Sequence, residues 1–82
     1  MNDESRPMKA AEHVLLAFEG ASPGKTISYR QVEDFLKKHH FPIKESAAGL
    51  YYGRQQGWIR VDSFHSITLL LPGFDKLSEL IK

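Results

Sequence analysis

Apolar positions along the chain change period from helical to strand-like and back, and the changes divide it into elements. From Pro7 onward, Met8, Ala11, Val14, Leu15 and Phe18 recur at intervals of three and four, the stripe of an amphipathic helix facing a core. Pro7 suits a first helical turn, where its missing N–H costs nothing, and Ser5 is placed to cap it. Residues 1–7 are otherwise polar and aperiodic and are expected to be a disordered N-terminal segment. Gly20-Ala21-Ser22-Pro23-Gly24 ends the helix in a loop.

Lys25 to Ile27 reads as a short extended segment. Ser28, with Gln31 three residues on, is a capping box that starts a second helix, whose buried face is Val32, Phe35 and Leu36. Pro42 disfavours α geometry at Phe41 and places a break between His39 and Ile43. A third helix is expected from Lys44 to Gln56, with Ala47, Leu50, Tyr51 and the stem of Arg54 toward the core and Gly57 as its left-handed stop. Gly49 and Gly53 each cost about 1 kcal/mol of helix propensity there, so this helix needs tertiary support. Trp58 to Val61 alternates in type, Asp62 to Ser66 is a polar break, and Ile67 to Leu71 resumes as a strand, which predicts a β-hairpin. Pro72-Gly73 is expected to interrupt the second strand, and Phe74, Leu77, Leu80 and Ile81 then return to helical spacing.

At 82 residues the chain fits a single core, assigned to residues 8–82. An apolar share of 41% and an aromatic share of 11% are enough to build it. Without cysteine there is neither a disulfide framework nor a thiolate zinc site, so packing alone must stabilise the fold. No apolar run approaches the roughly 20 residues of a membrane span, and no signal-peptide pattern precedes Met8, which makes the cytoplasm the expected location.

The net charge of +1 is uninformative, but its distribution is not. Between Lys25 and Arg60 lie seven basic residues and three acidic ones, a local excess of four, and the rest of the chain is net negative by three.

The order helix, short strand, helix, turn, helix, hairpin, helix resembles the winged helix-turn-helix family, an α+β fold with a three-helix core, a short strand, a β-hairpin wing and a C-terminal helix. Three stretches carry the likeness: Thr26 to Val32, a short strand running into a capped second helix; Leu50 to Ile59, the end of a recognition helix entering the wing; and Ile67 to Phe74, the returning strand and the start of a last helix. Members of that family include DNA-binding regulators and protein-binding modules.

The resemblance implies double-stranded DNA as partner, with the third helix in a major groove. On the helical wheel its readers are Glu45, Ala48, Gly49, Tyr52, Gly53 and Gln56, flanked by Lys44 and Gln55; either glutamine can pair with adenine, and Lys44 can reach a phosphate or guanine. The start of the second helix, at Tyr29 and Arg30, offers backbone amides to a phosphate with help from Lys25, unless Ser28 and Gln31 satisfy those donors. Arg60 is the wing's contact to flanking backbone, weakened by Asp62. This is the expectation for a small transcriptional regulator.

The alternative is a protein-interaction module, using Gly49 and Gly53 or Phe64 at the hairpin tip, unless Phe64 folds back onto the core. A homodimer through Leu16 and Leu70 is a further expectation. The histidines at 13, 39, 40 and 65 lack metal-ligand spacing, and Asp62, Ser63 and His65 hold the letters of a catalytic triad without its geometry. No enzymatic role and no cofactor are expected.

Overall fold

In the computed structural model, residues 5–62 and 66–82 are described. Among them the chain is an α+β domain of four helices and a three-stranded antiparallel sheet: α1 (Ser5–Leu16), β1 (Thr26–Ser28), α2 (Tyr29–Lys38), α3 (Ile43–Gln55), β2 (Ile59–Asp62), β3 (Ser66–Leu69) and α4 (Leu71–Leu80). No helix among the described residues is long and apolar enough to cross a membrane.

The stripe expected on α1 is buried from Ala11 through Val14 and Leu15 to Phe18, with Ala10 added to it. The helix starts at Ser5, so residues 5–7 belong to it and not to a disordered segment; the expectation for residues 1–4 lies outside the described residues. Leu16 is half-buried against the core and Leu70 is half-buried at the start of α4.

The capping box of α2 is present in both directions. Gln31 N–H donates to Ser28 Oγ at 3.1 Å, and Ser28 N–H donates to Gln31 Oε1 at 3.0 Å. At its other end, Phe41 N–H reaches Leu36 C=O at 2.9 Å and His40 N–H reaches Lys37 C=O at 3.1 Å. This is a Schellman closure, with His40 at φ +71° in the left-handed position that glycine favours. α3 ends the same way around Gly57, at φ +76°.

The sheet order is β1-β3-β2, which makes β3 the central strand. Ile67 and Leu69 point into the core. Thr68, on the opposite face, is paired across the ladders with Thr26 and Arg60, and the Thr26 and Thr68 hydroxyls lie 2.9 Å apart.

Contrary to expectation, Pro72 and Gly73 do not precede the last helix but form its first turn. Leu70 N–H donates to Trp58 C=O at 3.0 Å, and a Cβ at Gly73 would collide with that same carbonyl. Proline tolerates the first turn, and only glycine fits where the helix touches the backbone of Trp58.

Candidate functional site

α3 is the element on which the expected site rests, and its rotation differs from the expectation. Its buried residues are Ser46, Gly49, Leu50 and Gly53. Lys44, Ala47, Ala48, Tyr51, Arg54 and Gln55 are exposed. The core-facing direction is thus turned by about 100° from the one centred on Ala47, Leu50, Tyr51 and Arg54.

The glycines explain the turn. A Cβ on Gly49 would stand 2.7 Å from the Cβ of Ala10 and 2.9 Å from its carbonyl carbon, so α3 meets α1 almost backbone to backbone. A Cβ on Gly53 would stand 3.2 Å from the side chain of Ile59. Gly49 and Gly53 are therefore packing residues, and Gly49 is removed from the set of readers. The signal available in the sequence was the spacing of Ser46, Gly49 and Gly53, small residues at intervals of three and four that let two helices approach closely.

Two other expected readers are also committed elsewhere. Glu45 is half-buried, and its carboxylate forms an ion pair and hydrogen bonds with the guanidinium of Arg6, which itself lies 4.7 Å above the ring of Phe41. Tyr52 is half-buried with its ring edge-on to Trp58, centroids 5.8 Å apart. Lys44, Gln55 and Gln56 are exposed as expected. The outward residues absent from the expected set are Ile43, Ala47, Tyr51 and Arg54.

At the start of α2, the capping box uses the amides of Ser28 and Gln31. Those of Tyr29 and Arg30 occupy the first helical turn, where the helix supplies no acceptor. Arg30 and Lys25 are exposed. The Tyr29 ring is half-buried against the core, and its hydroxyl pKa is raised, first by burial and then by the Glu33 carboxylate.

On β2, Arg60 Nε donates to Asp62 Oδ1 at 3.1 Å, so this cation is compensated on its own strand. The expectations for Ser63, Phe64 and His65 lie outside the described residues.

His13 and His39 bring α1 and the end of α2 together in an aromatic cluster, with ring centroids 5.3 Å apart, and His13 lies 4.8 Å from Phe41. His13 Nδ1 is 2.8 Å from the Lys9 carbonyl, which ties the ring to its own helix. These rings pack the turn between α2 and α3. No group of three potential metal ligands occurs among the described residues.

No family model, curated protein or solved structure matches this chain.

Proposed function

We propose that this chain is a winged helix-turn-helix domain that binds double-stranded DNA, with α3 facing a major groove and the β2–β3 hairpin beside it. The element order and the β1-β3-β2 sheet support the fold reading. The observation that carries the functional reading is electrostatic. The outward face of α3 holds Lys44 near one end and Arg54 near the other, and the helix's one carboxylate, Glu45, is compensated by Arg6. A phosphate-lined groove meets no uncompensated negative charge on that face.

In this reading Lys44 reaches a phosphate or a guanine edge, and Gln55 is placed to pair with adenine. Arg30, Lys25 and the first amides of α2 grip backbone phosphates. Arg60 contributes less, because binding a phosphate requires it to leave Asp62. Gly49 acts by seating the helix, and Glu45 by its link to α1. A protein-interaction role through Gly49 and Gly53 has lost its surface, since both are buried.

The test is a salt titration of binding to random-sequence duplex. The observed association constant should fall with salt at a logarithmic slope of about −0.9 per neutralised phosphate, and about four contacts predict a slope between −3 and −4. Reversing the charge at Lys44 and Arg30 together should abolish the binding. A slope near zero, or charge-reversed protein that binds as well as the parent, refutes the proposal.

A further inference from the structure

The outward face of α3 is more apolar than a merely solvated helix requires. Ile43 is 58% exposed and Tyr51 is 61% exposed, two of the four large hydrophobic residues left open to solvent among the described residues. Exposed Ala47 lies between them at four-residue spacing, so the three form one stripe along the helix. Ala48 is exposed beside it. Lys44 flanks the stripe in the first turn, and Arg54 and Gln55 follow it in the last.

Charge complementarity indicates what covers this stripe: an occupant with negative charge on both sides of an apolar centre. A major groove has that layout, because phosphates line its rims and the C5 methyl of thymine is the apolar group its base edges display. Cytosine carries only hydrogen at C5, so over it the stripe of Ile43, Ala47 and Tyr51 loses that apolar contact.

Resting on the reading of α3 as the groove-facing helix, we propose that this stripe selects thymine through its methyl group, and that Gln55 favours adenine at the flank. The bound duplex is then chosen less by hydrogen bonds at its centre than by where methyl groups fall.

The experiment uses the full chain. Duplexes enriched from a random pool are resynthesised with deoxyuridine in place of thymidine, which deletes the methyl and leaves every base-pairing group in place. Affinity should fall about fourfold per contacted methyl, with the salt slope unchanged. Ala47→Ser, a substitution the exposed position accommodates, should narrow the thymine-to-uracil ratio. Equal affinity for the thymine and uracil duplexes at a steep salt slope would overturn methyl selection and leave DNA binding intact. Absence of salt-dependent binding to any duplex would overturn both.

Discussion

α2 and α3 are consecutive helices of 10 and 13 residues, yet they are specified in opposite ways. α2 carries its own boundaries: a reciprocal capping box at Ser28 and Gln31, a Schellman closure at His40, and a polar exterior around Val32 and Leu36. α3 has no side-chain cap at its N-terminus and holds two glycines in its interior, and its place is set by contact with α1 through Gly49 and Ala10. One helix is defined by what lies within it and the other by what lies beneath it. Locally encoded helices therefore tolerate changes in their neighbours, whereas α3 depends on close approaches to α1 at Gly49 and to β2 at Gly53.

The contrast breaks most visibly at Gly49. Gly49→Leu places a branched side chain where even a Cβ would be 2.7 Å from Ala10, and it should cost about 3 kcal/mol or more, read as a lowered denaturation midpoint. Any gain in helix propensity, about 1 kcal/mol at most, is too small to offset that. A loss under about 1 kcal/mol would mean that α3 is not seated on α1 at this point.

Ser28→Ala probes the locally encoded partner. It removes the acceptor for the Gln31 amide and should cost about 1 kcal/mol, with the remaining structure retained. If it proved as damaging as Gly49→Leu, the distinction between the two helices would collapse.

The smallest effect is a gain. His40 holds a left-handed backbone at φ +71°, which costs a residue with a Cβ about 1 kcal/mol. Glycine removes that cost but is more flexible when unfolded, so His40→Gly should raise stability by about 0.5 kcal/mol. A loss would show that the His40 side chain contributes contacts worth more than the relieved strain.

The same contrast governs what could be read from the residues alone. Elements with local signals were legible: the α1 stripe, the Ser28 box, the Gly57 stop and the hairpin all stand close to where the pattern placed them. The rotation of α3 was not. A glycine scores as neither apolar nor polar, so the wheel turned toward Tyr51 and Ala47, the larger apolar groups, and these are in fact exposed. The start of α4 was misread for a related reason. Pro72-Gly73 signals a break in isolation, and the contact with the Trp58 backbone that makes glycine necessary there is invisible along the chain.

For the candidate site, the exposed Lys44, Gln55 and Gln56 followed from composition and period, as did Arg30 at a capped helix start. The pairing of Glu45 with Arg6 spans 39 positions and joins two helices, a relation that residue spacing does not carry.

Because α3 packs inward through Ser46, Gly49, Leu50 and Gly53, the side chains at 44, 47, 48, 51 and 55 are left in solvent and make no contribution to that packing. Those five positions form a panel that can be randomised while the fold stays fixed beneath it. On the proposed DNA-binding role, a library built there would vary target preference separately from folding, which makes the domain a starting point for retargeting.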